Sequence, residues 1–445
     1  MLYENGKPFH DYVDADKGLV DRVIFSDQAI YELELERIFA RAWNFMCHES
    51  QIPKAGDFFL SFIGEESVIA TRDKKGELQV LLNSCRHRGN AVCRAEEGNA
   101  RSFLCTYHGW TYGLDGQLIG VPGYKDFYHE QLDKSQWGLV KAKVASYKGF
   151  VFATMDPEAV DLDEYLGPVG RMSIDLLAAQ GPLKMVAGVQ KNIIGCNWKL
   201  AVDNLFDYYH VGISHASAFM SNFRARDPEA PPAPPRFSFG KHRVWLGDYG
   251  HAIGGPRIPT DEMANIIAHD NPNLDETWRH RDDARAILGD QAIESVGHPN
   301  IFPNLWVTEA NQISLRLPKG PTGCEIWWFT LVPEGLDEKQ HEEAIRGANH
   351  QFGPSGFLEQ DDGENWDQST RQTMGVVARR YPLNFSMNLK HGEVITPADG
   401  GAPYVDTAIN EHAQLWTYRA WADWMDAESW AALKASRTPV PSDRL

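Results

Sequence analysis

The 445-residue sequence predicts an α+β protein in which a small β domain is inserted ahead of a larger domain with an antiparallel sheet and surrounding helices. Three observations predict it. Short strand-like runs separated by turn signals fill the stretch 57–156. Beyond Asp156-Pro157, helical stretches alternate with strand runs joined by tight turns, and the length itself asks for two or three domain-sized cores. An apolar content of 43% with 23% charged residues suits a globular chain that buries a core and gives no sign of disorder.

Residues 1–40 read as a helical segment that packs on the larger domain. Ser26 is placed to N-cap a helix running from Asp27 to about Phe45, with Leu33, Leu35, Ile38, Phe39 and Trp43 among its apolar positions. Residues 41–157 form the β domain, with strands expected at 58–63, 67–71, 78–82, 140–145 and 150–155 and turns at Asp73-Lys74-Lys75-Gly76 and Asp115-Gly116. Residues 158–445 form the larger domain. Strand runs are expected there at 300–308, 312–317 and 325–332, and the turn Pro318-Lys319-Gly320-Pro321 favours antiparallel neighbours over βαβ units. The Pro-rich stretch 228–235 reads as an exposed, semi-stiff connection. From Glu411 to Ala435, Trp416, Trp421, Trp424 and Trp430 mark an amphipathic packing helix. There is no repeat at solenoid periods.

The formal charge of −18 argues against a nucleic-acid partner, which needs a basic footprint. The polar, acidic start of the chain lacks an apolar h-region, and no apolar run approaches the ~18 residues of a membrane span, so a cytoplasmic protein is expected. Of the six cysteines, Cys47, Cys93, Cys196 and Cys324 are scattered and read as reduced packing residues.

The other two cysteines carry chemistry. Cys85-Arg86-His87-Arg88-Gly89 and Cys105-Thr106-Tyr107-His108-Gly109-Trp110 each offer one thiol and one imidazole followed by glycine, with 17 residues between His87 and Cys105. Thiolates bind iron as soft ligands, and neutral imidazoles in place of two of them raise the reduction potential of a [2Fe–2S] cluster into the Rieske range. A Cys2His2 zinc site is the rival reading. Zinc modules usually pair like with like, which this spacing does not.

A second constellation runs from Asn197-Trp198-Lys199 through Asp203, Asn204, Asp207, His210 and Gly212 to His215. At about 100° per residue Asp207 and His210 share a helix face, while His215 lies about 140° round from His210. Both imidazoles reach one metal only if the helix loosens or ends near Gly212. Two imidazoles and one carboxylate make the facial triad of non-haem Fe(II) oxygenases. The acidic run Glu359-Gln360-Asp361-Asp362-Gly363-Glu364 offers several candidates for the third ligand, among which the residues alone do not choose.

Taken together, both loops, the run from Asn197 to His215, and Phe352-Gly353-Pro354-Ser355-Gly356-Phe357-Leu358-Glu359-Gln360-Asp361-Asp362 closely resemble the large (alpha) subunit of Rieske non-haem iron aromatic-ring-hydroxylating dioxygenases, over nearly the whole chain. Asn90 and Tyr107 stand where the respiratory type of Rieske loop carries extra cysteines. The resemblance implies that Cys85, His87, Cys105 and His108 hold the [2Fe-2S] cluster and that His210, His215 and Asp362 ligate a mononuclear Fe(II). Glu359 and Asp361 then become helix-surface residues or supports of the ligands. It implies that Asp207 bridges His210 and the His108 of a neighbouring subunit in a homotrimer, with or without a small beta subunit. It also implies a terminal oxygenase that takes electrons from a ferredoxin or reductase and cis-dihydroxylates an aromatic substrate with O2. Asn204, Phe206, His298, Phe352 and Leu358 are the pocket candidates. Monooxygenation or oxidative demethylation uses the same metal set, and a Rieske electron-transfer protein would use the first constellation alone.

Overall fold

The helix expected near the start is shorter than its apolar pattern. Asp27, not Ser26, is its N-cap: the Asp27 carboxylate accepts from the N–H groups of Ala29 and Ile30 at 2.9 and 3.1 Å. The helix Gln28–Glu34 loosens into a π turn over Leu35–Phe39, and Asn44–His48 is a strand. Asn44 explains the stop, because its side-chain amide donates to the carbonyls of Phe39 and Ala42, both at 2.8 Å, and so closes the helix end.

The computed structural model describes residues 7–442 apart from 222, 224–239, 259–276, 309–310 and 399, so the Pro-rich stretch 228–235 lies outside the described residues. The chain divides into two compact units: Phe39–Leu162, and Met1–Ile38 together with Asp163–Leu445.

In the Phe39–Leu162 unit, one antiparallel sheet runs Leu78–Leu82, Glu66–Arg72, Asp57–Ile63, Glu97–Asn99, and a second runs Lys143–Tyr147, Phe150–Thr154, Asn44–His48. The strand expected at 140–145 begins later, at Lys143. Residues just before it bond elsewhere, with Val140 accepting from Leu82 at 2.8 Å and Ala142 donating to Val80 at 2.9 Å. Lys148 and Gly149, with φ of 47° and 86°, close the hairpin to Phe150 in the positive-φ geometry that two-residue connections require. A small third sheet, Leu118–Gly120, Thr111–Tyr112, Phe103–Leu104, lies next to the second cluster loop in sequence.

The larger unit is built on an antiparallel sheet of ten strands. Its order is Leu183–Met185, Cys324–Pro333, Gln312–Pro318, Leu305–Val307, His298–Ile301, Ala252–Pro256, His242–Leu246, Tyr404–Thr407 and Glu393–Ile395, with Gln190–Ile194 also paired to Cys324–Pro333. The run expected as one strand at 300–308 is a hairpin. Pro303 has no N–H to give a ladder, and the chain turns there. The aromatic carboxy-terminal segment forms two helices, His412–Asp426 and Trp430–Ser436, and the first is buried on almost all sides rather than amphipathic. Its Trp421 meets a fully buried carboxylate, Glu34, which accepts from Trp421 Nε1 at 2.7 Å, Trp198 Nε1 at 2.8 Å and Lys199 Nζ at 2.5 Å. That knot fixes helix Trp198–Asp203, which leads into the histidine pair. Among the described residues no helix is long and apolar enough to cross a membrane.

Candidate active site

The two cysteine–histidine loops are built alike. Gly89 donates to the carbonyl of Cys85 at 2.8 Å and Cys85 to that of Asn90 at 2.9 Å; Gly109 donates to Cys105 at 2.9 Å and Cys105 to Trp110 at 2.8 Å. Gly89 and Gly109 both have φ of 75°, so each loop reverses where a side chain would be strained. Cys85 and Cys105 are buried free thiols, and the His87 and His108 rings lie 4.6 Å apart. Trp110 stacks on His87 at 5.0 Å, and the Tyr112 hydroxyl sits 3.2 Å from the Cys85 sulfur. Burial opposes a thiolate at Cys105, but the backbone N–H groups of Tyr107 and His108 and the amide of Asn90 outweigh it and lower the pKa. Burial, with His108 and Arg88 nearby, lowers that of His87. Thiolate and neutral imidazole are the ligand forms a cluster needs, and the Nδ1 of His87 is buried without a partner. The donor set fits a [2Fe-2S] cluster.

In the larger unit, the helix Trp198–Asp203 tightens over Asn204–Phe206 and then breaks. Asp207 is extended, His210 N-caps the single turn Val211–Ser214, and His215 is the joint to helix Ala216–Met220. The break thus falls at Asp207 and His215, not at Gly212, which is helical. Asp362 comes from the helix Glu359–Thr373 and is buried. Its Oδ1 lies 3.2 Å from His210 Nε2 and 3.3 Å from His215 Nε2, and the two imidazole nitrogens are 3.2 Å apart. Donors held ~2.1 Å from one ion stand about 3.0 Å apart at right angles and about 3.4 Å apart at the tetrahedral angle. The three edges lie between these values, as a shared ion requires.

Each imidazole turns its Nδ1 toward another carboxylate: Asp207 at 3.3 Å from His210, and Asp361 at 3.7 Å from His215. Burial opposes a charge on His210, but hydrogen bonding to Asp207 and Asp362 overrides it and raises the pKa to about 10. Burial keeps His215 below the usual value despite Asp362. The corner therefore favours one positive charge between its acids, which a divalent cation satisfies with both imidazoles neutral.

Beside these three residues is a cavity of about 160 Å³. Asn204, His298, Phe352 and Leu358 line it, together with Asp207 and the three metal-site residues. Phe206 is not in this group: it is buried in the core cluster that includes Val244, Leu246, Ala252, Ala413 and Trp416, at the end of the tightened turn Asn204–Phe206. Glu359, one of the acidic candidates, also lines the cavity, as do Trp306, Arg316 and Trp366, which sequence reasoning missed. Glu359 is buried, not on a helix surface; it accepts from Trp328 Nε1 at 2.8 Å and faces Arg316 at 3.4 Å. Burial raises its pKa to about 7 against the pull of Arg316. The local pattern around Arg316 points the wrong way. Gln312, Ser314 and Arg316 alternate with apolar residues, a pattern that usually means a solvent-facing side, yet the whole strand is buried.

The model of the ring hydroxylating alpha subunit catalytic domain matches residues 162–427, and that of the Rieske [2Fe-2S] domain matches residues 42–147. The biphenyl 2,3-dioxygenase subunit alpha of Rhodococcus jostii is 36% identical, covering 97% of this chain and 94% of that protein. The benzene 1,2-dioxygenase subunit alpha of Pseudomonas putida is 35% identical over 95% of each. The crystal structure of naphthalene 1,2-dioxygenase from Rhodococcus sp. bound to indole superposes with a TM-score of 0.81 at 32% identity, covering 96% of this chain and all of that one. A Rieske [2Fe-2S] domain followed by a catalytic domain that carries mononuclear iron places this chain in the family of ring-hydroxylating oxygenase alpha subunits.

Proposed function

We propose that this chain is the terminal oxygenase component that cis-dihydroxylates an aromatic substrate with O2, using electrons from a ferredoxin or reductase. The observation that carries the reading is the triangle of His210, His215 and Asp362 beside a cavity whose wall includes the rings of Tyr208, Phe219, Trp306, Phe352 and Trp366. Cys85, His87, Cys105 and His108 hold the cluster in this reading, and His210, His215 and Asp362 the iron. When bound, the cluster supplies electrons singly and the iron supplies open positions for O2 and water.

The chain's own residues do the positioning. Asp207, 3.3 Å from His210 Nδ1, favours the tautomer that leaves Nε2 free for metal, and Asp361, 3.7 Å from His215 Nδ1, acts on the second imidazole through its charge. Phe352 and Trp306, with ring centroids 5.0 Å apart, and Leu358 give an arene an apolar bed, and the cavity's size matches that of an engineered cavity of ~150 Å³ known to hold benzene. In the homotrimer we propose, with or without a small beta subunit, His108 of one subunit faces the partner subunit's His210, and the partner's Asp207 accepts a hydrogen bond from both imidazoles. His108 and Asp207 are each partly exposed, as that arrangement needs. The four cysteines outside the cluster loops, Cys47, Cys93, Cys196 and Cys324, are buried free thiols, which supports a reducing, cytoplasmic location.

The test is turnover with a reductase, an arene and isotopically labelled O2. Two labelled oxygens in a cis-diol are expected. One labelled oxygen in a monohydroxylated or demethylated product would replace dihydroxylation with monooxygenation, and electron transfer without oxygen consumption would leave only an electron carrier.

A further inference from the structure

Three residues of the cavity wall keep buried donors without an acceptor: Arg316 Nη1, Trp306 Nε1 and Trp366 Nε1. Arg316 is 1% exposed. Its Nε donates to the carbonyl of Ala201 at 3.2 Å, and its Nη2 lies 3.4 Å from Glu359, long beside the ~2.7–2.9 Å of a good charge-assisted bond. The guanidinium is held by aromatic faces, with its carbon 4.7 Å from the Trp306 ring centre and 5.5 Å from that of Trp328.

The carboxylates of the wall have other roles, Asp362 as the candidate metal ligand whose Oδ1 keeps no hydrogen-bond partner. Asp362 lies between the two histidines, Asp207 faces His210, and Glu359 accepts from Trp328. Outside the three candidate metal ligands, the buried side-chain atoms of the wall that keep no partner are therefore donors. A hydrocarbon ring filling it would strand all three N–H groups, whereas a carboxylate offers two oxygens with about four acceptor sites and a charge that matches the guanidinium.

We propose that the cavity selects an arene bearing a carboxylate, received by Arg316 with Trp306 and Trp366. This rests on the arene-oxygenase reading of the same site and adds the substituent to it. A pocket built to hydrogen-bond its substrate rejects the analogue that lacks the group far more strongly than an apolar pocket rejects an extra polar one. Arg316, Trp306 and Trp366 are specificity residues in this account, and Glu359 positions the guanidinium.

The experiment compares benzoate with toluene, which differ by carboxylate against methyl, on the holoenzyme with its reductase, and titrates benzoate calorimetrically in the absence of reductant. We expect kcat/KM to favour benzoate by at least tenfold and benzoate to bind. In Arg316→Met that ratio falls at least tenfold with weaker binding, Arg316→Lys restores part of it, and Trp366→Phe, which removes the N–H together with one of the two fused rings, lowers it severalfold. The Trp366 variant carries the test if Arg316→Met does not fold. Oxidation of toluene in preference to benzoate, or a ratio unmoved in both variants, would overturn the carboxylate proposal and leave the oxygenase reading standing. No oxygenated product from either arene, with both metal centres present, would overturn the two together.

Discussion

The cluster loops draw their four donors from the 24 residues between Cys85 and His108, inclusive, whereas the mononuclear site joins a broken helix at His210 and His215 to a carboxylate on the helix Glu359–Thr373. Each loop is closed by its own backbone: a glycine N–H returns to the cysteine carbonyl, and the cysteine N–H reaches five residues ahead. At the candidate iron site, local bonds such as those from the Tyr209 and His210 N–H groups to the Asp207 carboxylate shape only the histidine segment, and Asp362 comes from a helix remote in sequence. The site's geometry is held by groups remote in sequence, including the Glu34 knot that anchors Trp198 and Lys199. In the proposed reading, electron storage sits on a self-contained motif, and oxygen handling sits on a tertiary assembly that can be disturbed from far away.

That contrast can be broken at its strongest point first. Cys105→Ser should abolish the cluster's colour and acid-labile sulfide and all reductase-driven turnover while iron remains bound at the His210 site. Loss of both metals would show that the two regions are not independent. Asp207→Ala should keep both centres and the cluster's absorbance but lower coupled turnover by about 100-fold, the scale of removing a support for a metal-bound imidazole. Wild-type turnover would remove Asp207 from the pathway.

Glu34→Gln tests the tertiary half. It leaves the Lys199 ammonium buried without its counter-charge, and breaking a buried ion pair costs about 3–5 kcal/mol. Thermal unfolding should show the loss, and the fraction of bound mononuclear iron should fall before the cluster is affected. An unchanged midpoint would contradict the anchoring role.

The smallest effect concerns His10, which bridges Asp423 and Asp426 at 2.8 and 2.6 Å and whose pKa is raised to about 9, chiefly by hydrogen bonding to Asp423 and then Asp426. A histidine raised in the folded state stabilises fully below its unfolded pKa of about 6.5 and loses that contribution as pH rises to about 9. The wild type should therefore lose a little stability between these values, and His10→Gln should flatten that slope. A slope of equal size in the variant would assign it to other groups.

The same contrast explains what could be read from residues alone. The strand Leu78–Leu82 and both cluster loops were legible because local spacing, turns and ligand type all point one way. The histidine pair was visible, but Asp362 could be singled out from its acidic neighbours only through family resemblance, since which carboxylate faces inward is decided by how the helix Glu359–Thr373 lies against the sheet. Phe206 was misplaced because its partners in the core cluster, such as Val244 and Trp416, are remote in sequence. Arg316 escaped notice because a charged residue in an alternating strand reads as solvent-facing, and only the tertiary fold buries it. The early helix was overextended because Asn44, a side-chain stop, lies inside an apolar pattern that continues into the next strand.

The most direct test of two separately built metal environments is metal and sulfide analysis, with electron paramagnetic resonance of the reduced protein, on Asp362→Ala beside the wild type. We expect three irons and two sulfides per wild-type chain, from one [2Fe-2S] cluster and one mononuclear ion. The variant should keep two irons, both sulfides and an unaltered cluster signal. A variant that retains the third iron, or that loses the cluster with it, would contradict the account.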